Sequence, residues 1–196
     1  MLHKKLKSNN ELFFEGPLIF EPYVFKDQRG FFYESWNKSE FNKIIEENIE
    51  FRQDNHSFST RGVLRGLHYQ LPASPQAKLV RCTKGLIFDV IVDIRENSNT
   101  FGNWAGVELN EHNKKLLWVP NGFAHGFLTM SDFAEVQYKV TNYWEKELDK
   151  SIIWSDKDIN ITWPLNLINL KQPFLSDKDE AAETLQMKII KREVFK

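Results

Sequence analysis

The residues best suited to acid–base chemistry lie in one ten-residue stretch, Arg61-Gly-Val-Leu-Arg-Gly-Leu-His-Tyr-Gln70. Alternate residues of a regular strand face opposite sides, so Arg65 and His68 would point away from each other. A glycine inside a strand often marks a bulge or a close approach by a ligand. A bulge at Gly66 would turn Arg65 and His68 toward one cavity. The alternative is a half-buried strand with a hydrogen-bonded histidine and a solvated arginine.

Further polar side chains could share such a cavity. A neutral imidazole can accept a proton near pH 7, a lysine or arginine can stabilise an oxyanion, and a tyrosine can return a proton from another direction. This combination supports proton abstraction next to a carbonyl, and it would equally suit a passive anion-binding pocket. The candidates on or beside predicted elements are Arg29, Glu34, Gln53, Asp54, Asn55, Arg65, His68, Lys78, His125, Tyr138, Lys178 and Asp179.

Four of these candidates also have a purely structural interpretation. His125 could be a core histidine bonded to backbone, Tyr138 a core tyrosine, and Lys78 a solvated strand residue. Asp179 stands three residues after Ser176, which is the spacing of a helix capping box. The residue types alone leave these alternatives open.

The histidine spacing gives no sign of a metal site. A metal site in a β-barrel usually needs a close histidine pair, but no two histidines lie within five residues, and Gln70 occupies the position two after His68. The chain also lacks both glycine-rich phosphate-binding motifs, so a nucleotide cofactor in a Rossmann crevice is not expected. The histidines are His3, His56, His68, His112 and His125.

The composition is that of one soluble domain covering residues 1–196. The chain is 41% hydrophobic and 27% charged with a net charge of −1, which indicates neither a nucleic-acid surface nor an electrostatic membrane anchor. The basic N-terminus lacks the apolar region of a signal peptide, and no run approaches the ~18 apolar residues of a membrane span. We therefore expect a cytoplasmic protein.

The elements that must position the candidates are mostly short strands, which is typical of a sandwich or barrel. A strand over 17–25 contains Pro22 and should lie at a sheet edge. After a turn at 26–30, a further strand is predicted over 31–36, and helices are predicted over 39–49 and 176–192. The other predicted strands are 63–70, 77–83, 86–94, 104–109, 116–119, 123–130 and 134–141.

Several separate motifs, in the same order along the chain, resemble the dTDP-4-dehydrorhamnose 3,5-epimerase family. The resemblance runs from about residue 17 to 182. The motifs are Asp27-Gln-Arg-Gly-Phe-Phe32, Gln53-Asp-Asn55, the stretch 61–70, Gln76-Ala-Lys-Leu-Val80, Phe88-Asp-Val-Ile-Val-Asp-Ile-Arg95, Pro120-Asn-Gly-Phe-Ala-His-Gly-Phe127, Tyr138-Lys139, Ile153-Trp154-Ser155-Asp156, Thr162-Trp163-Pro164 and Leu175-Ser-Asp-Lys-Asp179.

The resemblance implies a mainly β protein, a cupin-type jelly-roll β-sandwich with a few short peripheral helices, which works without metal or organic cofactor. It implies conversion of dTDP-4-dehydro-6-deoxy-D-glucose to dTDP-4-dehydro-L-rhamnose by inversion at C3 and C5 through enolates. His68 would be the base, oriented by Asp179. Lys78 would lie near the enolate oxygen, and Tyr138 would be the acid on the opposite face.

The resemblance also implies a homodimer with exchange of N-terminal segments, in which the segment around Arg29 reaches the partner's site. Such an exchange would cover a jelly-roll edge strand. Family members often carry glutamate near position 149, where this chain has Asp149, one methylene shorter, at a position that would contact the sugar or a phosphate. The implied substrate-binding residues are Arg29, Glu34, Gln53, Asn55, Arg65, Lys78, His125, Asp149 and Lys178.

Three other functions remain open at this stage. The first is a single-centre 3- or 5-epimerase acting on a dTDP-4-keto-6-deoxysugar in another pathway, although Tyr138 favours inversion at C5. The second is a non-catalytic nucleotide-sugar binding protein, which would need neither His68 nor Tyr138. The third is a metal-dependent cupin oxygenase, which the histidine spacing disfavours.

Overall fold

The computed structural model describes residues 1–196, and it consists mainly of two antiparallel sheets packed face to face. This arrangement confirms the predicted cupin-type jelly-roll sandwich with a few short helices. Its strands are β1 (Leu2–Lys7), β2 (Phe13–Glu21), β3 (Phe25–Asp27), β4 (Gly30–Phe32), β5 (Gln53–Thr60), β6 (Leu64–Gln70), β7 (Lys78–Lys84), β8 (Leu86–Asp93), β9 (Trp104–Asn110), β10 (Leu116–Val119), β11 (Phe123–Thr129), β12 (Phe133–Val140) and β13 (Asp149–Ser151).

The strand order explains how residues far apart in sequence share one interior. The six-stranded sheet has the order β1-β2-β10-β7-β12-β5, and the five-stranded sheet has the order β13-β6-β11-β8-β9. Strands β3 and β4 form a separate hairpin. Each of the predicted strands from residue 63 to 141 is present, with its bounds within one residue of the prediction. Short runs of apolar and β-branched residues, separated by turn residues at regular spacing, are a sufficient signal for these strands.

The N-terminal region differs from the prediction in three respects. Strand β2 ends just before Pro22, and it lies between β1 and β10 rather than at the sheet edge. The edge is β1, which pairs with β2 of the same chain and was not predicted. The strand expected over 31–36 ends at Phe32. Proline terminates β2 because it cannot donate to the ladder.

Three α-helices and one 3₁₀ turn lie outside the sheets. The helix predicted over 39–49 is α1 (Lys38–Ile45), which Asn37 caps and which ends at Glu46 in the left-handed conformation. The single helix predicted over 176–192 is wrong. It is two helices, α2 (Asp177–Glu180) and α3 (Leu185–Ile190), capped separately by Ser176 and Thr184. The 3₁₀ turn covers Leu165–Ile168.

Three apolar layers hold together the two sheets and the segments that cover them. One lies between the sheets and includes Val80, Ile91 and Phe127. The C-terminal segment covers the outer face of the five-stranded sheet, with Trp163 packed over it. Helix α1 covers part of the other outer face through Phe41. No helix is long and apolar enough to cross a membrane.

Candidate active site

A bulge in β6 turns its polar side chains inward. Gly66 has φ +127°, and the pairing of β6 with β11 shifts register between His125 and Phe127. A Cβ at Gly66 would lie 2.5 Å from the Cα of Gly126, so only glycine fits this approach. Leu64 and Leu67, three residues apart, both belong to the outer apolar layer. Arg65 and His68 are left on the inner side, which confirms the predicted bulge.

His68 forms a close pair with Asp179. Its Nε2 lies 2.5 Å from Oδ1 of the buried Asp179, and its ring is partly exposed. The backbone N–H of Asp179 donates to Oγ of Ser176, so the helix cap and the histidine contact coexist. Burial raises the pKa of Asp179, but hydrogen bonds from His68, Ser176 and the backbone of Gly66 outweigh it. The net pKa lies below the ordinary value, and the carboxylate is charged.

A second histidine–carboxylate pair lies beside the first. His125 is the register partner of His68, and its Nε2 lies 2.5 Å from Oδ1 of Asp89, with both side chains buried. Burial lowers the pKa of His125, although Asp89 opposes this. The sequence interpretation did not single out Asp89. The available signal was a lone carboxylate within the apolar run Phe88–Val92, because a buried charge requires a partner.

The opposite wall carries an ammonium group and a phenol. Lys78 is buried on β7, and its Nζ donates to the carbonyl of His68 across the gap, at 3.2 Å. Burial lowers the pKa of Lys78 to about 8, although Asp149 and Asp89 oppose the shift. Tyr138 lies on the neighbouring strand β12, and burial raises the pKa of its hydroxyl. Lys78 is therefore not the solvated residue of the structural alternative. Tyr138 also packs against the apolar layer between the sheets, so its alternative role as a core tyrosine stays open.

Polar side chains surround the opening of this cleft. Gln53 donates to Oδ1 of Asn55 at 2.8 Å on the inner face of β5. Arg65 donates to Oγ of Ser59 at 2.9 Å. The carboxylate of Asp149 accepts from Nζ of Lys178 at 2.6 Å and from the indole N–H of Trp144 at 3.0 Å. The predicted site residues on β5–β13 and α2 therefore line the cleft or its opening, with the exception of Asp54. The side chain of Asp54 lies on the other face of β5, where it is exposed and pairs with Lys139 at 2.9 Å.

Two predicted substrate-binding residues lie elsewhere. Arg29 is at the tip of the β3–β4 hairpin, where its guanidinium is exposed and bonds only to Asp27. Glu34 follows the hairpin and accepts from Asn37. Within a single chain neither side chain joins the cleft, and their predicted role requires a second copy.

The cleft defines a class of chemistry. One wall offers an imidazole held by a carboxylate, and the other offers a phenol and a buried cation. Such a site can remove a proton from one face of a bound molecule, stabilise the resulting oxyanion and return a proton to the other face. No group of three histidine, cysteine or acidic side chains is arranged to hold a metal ion. The class is that of jelly-roll proteins with an acid–base site between their sheets.

Comparison with known proteins identifies the family. Residues 11–187 match the family model described as dTDP-4-dehydrorhamnose 3,5-epimerase, and the chain belongs to this family. A relative from Shigella flexneri with that name is 57% identical over 162 residues, covering 83% of this chain and 87% of the relative.

Two solved structures are also similar. The Legionella pneumophila dTDP-6-deoxy-D-glucose-3,5-epimerase, in complex with dTDP-4-keto-L-rhamnose, has a TM-score of 0.89 at 40% identity and covers 100% of this chain and 98% of its own. ChmJ, a 3′-monoepimerase from Streptomyces bikiniensis in complex with dTDP-quinovose, has a TM-score of 0.85 at 31% identity. The match covers 92% of this chain and 89% of the ChmJ chain. The fold is thus shared with one protein named as a 3,5-epimerase and one named as a 3′-monoepimerase.

Proposed function

We propose that this protein is an isomerase that inverts C3 and C5 of dTDP-4-dehydro-6-deoxy-D-glucose to give dTDP-4-dehydro-L-rhamnose. The observation that carries the proposal is the opposition of the His68–Asp179 pair on one sheet to Tyr138 and Lys78 on the other. The similarity to curated epimerases supports the same substrate class.

His68 acts as the base in this mechanism. Both C3 and C5 flank the C4 carbonyl, so the electron pair of a broken C–H bond moves into a C=C bond and the carbonyl oxygen becomes negative. The contact with Asp179 uses Nε2 of His68, which leaves Nδ1 to take the proton from carbon. Asp179 stabilises the imidazolium that forms.

Lys78 stabilises the enolate oxygen. Its ammonium is buried between the sheets, where a charge interacts more strongly than in water. With a pKa of about 8, Lys78 is mostly protonated at neutral pH and can donate to the oxyanion. Its hydrogen bond to the backbone of His68 places the cation beside the base.

Tyr138 returns a proton to the opposite face of the sugar. The phenol proton goes to the enolate carbon and the C4 ketone re-forms. The phenolate then recovers a proton from solvent, and the His68 imidazolium releases its proton to solvent. The raised pKa of the phenol keeps it protonated until an enolate is present. Each round therefore inverts one carbon without net loss or gain of protons.

The remaining polar residues hold the nucleotide sugar. We assign this role to Gln53, Asn55, Arg65, His125, Asp149 and Lys178, which line the cleft or its opening. The ion pair of Asp149 with Lys178 orients both side chains at the rim, and the shorter aspartate still reaches this lysine. His125, held by Asp89, presents its other ring nitrogen for a sugar hydroxyl.

A homodimer completes the site in this proposal. Arg29 and Glu34 lie on an exposed N-terminal region that bears Phe25, Phe31 and Phe32. A second copy that receives this hairpin would bury the aromatic side chains and bring Arg29 to the dTDP end of the cleft. The cytoplasmic location inferred from sequence likewise stays a prediction.

The test is incubation with dTDP-4-dehydro-6-deoxy-D-glucose in heavy water, with excess chelator present, followed by NMR. Deuterium at both C3 and C5 with L-rhamno product supports the proposal. Deuterium and inversion at one carbon only would instead identify a single-centre epimerase. Binding without exchange would identify a non-catalytic nucleotide-sugar binding protein, and activity abolished by the chelator would contradict the absence of a metal requirement.

A further inference from the structure

A network of charged residues lies on the side of β6 that faces away from the cleft. Lys188 is its centre, because its Nζ lies 3.1 Å from Glu183 Oε2 and 3.0 Å from Glu193 Oε2. The other oxygen of Glu193 lies 3.0 Å from Nζ of Lys150 on β13, and the other oxygen of Glu183 contacts Lys191. We call these five residues the C-terminal network.

The charges of the C-terminal network are unequally exposed. The side chain of Lys188 is only 9% exposed, whereas that of Lys191 is 45% exposed. The ion pairs with Lys191 and Lys188 hold the pKa of Glu183 below its usual value. Burial raises the pKa of Glu193, but Lys188 and Lys150 outweigh it and the net shift is downward. A nearly buried ammonium is therefore compensated by two charged carboxylates. Through these two contacts Lys188 connects Glu183, which precedes helix α3, with Glu193, which follows it.

The backbone carbonyls of Glu183 and Glu193 connect the C-terminal network to residues next to His68. The hydroxyl of Tyr69 donates to the carbonyl of Glu193 at 2.7 Å. The carbonyl of Glu183 accepts from the N–H of Ile153 at 2.9 Å, and Ile152 exchanges two backbone hydrogen bonds with Leu67. Glu193 is thus bonded directly to residue 69, and Glu183 is connected to residue 67 through Ile153 and Ile152, so the two connections end on either side of His68.

The same segment also carries the other half of the catalytic pair. Glu183 follows Asp179 by four residues. Helix α2, which bears Asp179, has only four residues, about one turn, so its position depends on the contacts of the residues around it. Lys150 is adjacent to Asp149 on β13, and Lys150 is the register partner of Tyr69. Four of the five members of the C-terminal network thus belong to residues 183–193, beyond the resemblance recognised in the sequence.

We infer that Lys188 is a positioning residue, which acts through Glu183 and Glu193 to fix the distance between His68 and Asp179. This inference rests on the proposed function. A displacement of about 1 Å in a catalytic group can cost about 10²-fold in rate, so loosening the network should lower kcat more than it weakens binding. Lys188 itself touches no substrate.

The test compares three substitutions in the full-length protein. Lys188→Met removes the buried charge but keeps the length, Lys188→Arg retains a cation able to reach both carboxylates, and Lys191→Met removes the exposed cation from the same Glu183. Unfolding temperatures are measured first, and kinetics are then recorded where all variants are folded. We expect Lys188→Met to lower kcat about 10-fold or more with KM within about threefold of wild type. Lys188→Arg and Lys191→Met should stay close to wild type.

A spectroscopic readout separates positioning from stability. The proton shared by His68 and Asp179 should give a downfield NMR resonance, assigned by its loss in His68→Asn, and Lys188→Met should shift or broaden it. An unchanged resonance and kcat, with only a lower unfolding temperature, would overturn the inference. If Lys188→Met does not fold, Tyr69→Phe removes only the hydroxyl contact to Glu193, and an unchanged kcat and resonance there would also overturn it. A wild-type protein without epimerase activity would contradict the proposed function, yet the resonance would still test the positioning.

Discussion

At the scale of single residues, exposure distinguishes the two histidines of the cleft. Each directs Nε2 at a carboxylate, but the His68 side chain is 31% exposed and that of His125 is 7% exposed. A base must reach a substrate carbon, so the more open ring suits proton abstraction. Burial lowers the pKa of His125 and favours its neutral form, which leaves one ring nitrogen able to accept a hydrogen bond. The geometry therefore favours His68 as the base and His125 as a binding residue.

His68→Asn should abolish most of the activity. Asparagine keeps much of the hydrogen-bonding shape but cannot accept the proton, so kcat should fall by at least ~10²-fold. Asp179→Asn should cost less, because it misorients the base without removing it. Steady-state kinetics with circular dichroism as a control for folding provide the measurement. Activity of His68→Asn within a few-fold of wild type would place the base elsewhere. If Asp179→Asn costs only about 1 kcal/mol of stability, its role is limited to the helix terminus.

Tyr138→Phe should separate removal of a proton from its return. The substitution keeps the ring and its packing and removes only the hydroxyl. His68 should still abstract a proton, and the enolate should then recapture a solvent-exchanged proton on the original face. In heavy water we expect deuterium at C5 with retained configuration and little L-sugar, measured by NMR. Formation of the L-rhamno product at nearly the wild-type rate would make Tyr138 a packing residue.

The pH dependence should report Lys78. Because burial lowers its pKa to about 8, Lys78 loses its charge as the pH rises through that value, and stabilisation of the oxyanion is lost with it. We therefore expect kcat to fall above about pH 8. Lys78→Arg keeps a cation at any accessible pH, so its alkaline limb should move upward even if the absolute rate is lower. A wild-type profile that stays flat through this range would contradict the role of Lys78.

At the scale of elements, the sequence predicted strands better than chain ends. Short apolar runs bounded by turn residues mark β7 to β12, but β1 is basic and buries only Leu6, so only its pairing with β2 reveals it. The C-terminal helical pattern was predicted as one helix because it continues past Glu180. Helix α2 ends there because the carbonyl of Glu183 accepts from the backbone N–H of Ile153 instead of from a residue further along a helix. Thr184 then caps the new helix α3.

Gly66→Ala should show how strongly the bulge is constrained. The added Cβ would meet the backbone of Gly126 and His125, at 2.5 and 2.8 Å, and neither can move without disturbing the sheet. Strain and overpacking should together cost at least about 2 kcal/mol of unfolding free energy. Gly30→Ala is a matched control, because Gly30 has φ +130° but no atom within 4 Å of its Cβ position. Equal losses for the two variants, measured by denaturant unfolding at one protein concentration, would refute the packing argument.

At the scale of the whole molecule, most residues of the site could be predicted from sequence. The buried partners that hold them, and whether one chain is enough to form the site, could not. Motif order brought together the residues on β5 to β13 and α2. It did not reveal Asp89, whose partner lies 36 residues away, or the C-terminal network, which depends on tertiary contacts. The single chain also leaves Arg29 85% exposed at the tip of an aromatic hairpin. Only a second copy can decide whether this hairpin belongs to the site.

Mixed dimers should test this exchange. Arg29→Ala and His68→Asn are prepared separately, each with low activity, and the two proteins are then allowed to exchange subunits. If Arg29 serves the partner's cleft, one site of each mixed dimer receives an intact Arg29 from the His68→Asn subunit and retains its own His68. Activity should then rise toward about a quarter of the wild-type value at equal mixing, since half of the dimers are mixed and each has one intact site. Mixing His68→Asn with Tyr138→Phe is the matched control, because both residues belong to the same chain's cleft and no intact site can form. No recovery with Arg29→Ala, despite subunit exchange verified by mass spectrometry, would mean that Arg29 acts within its own chain or not at all.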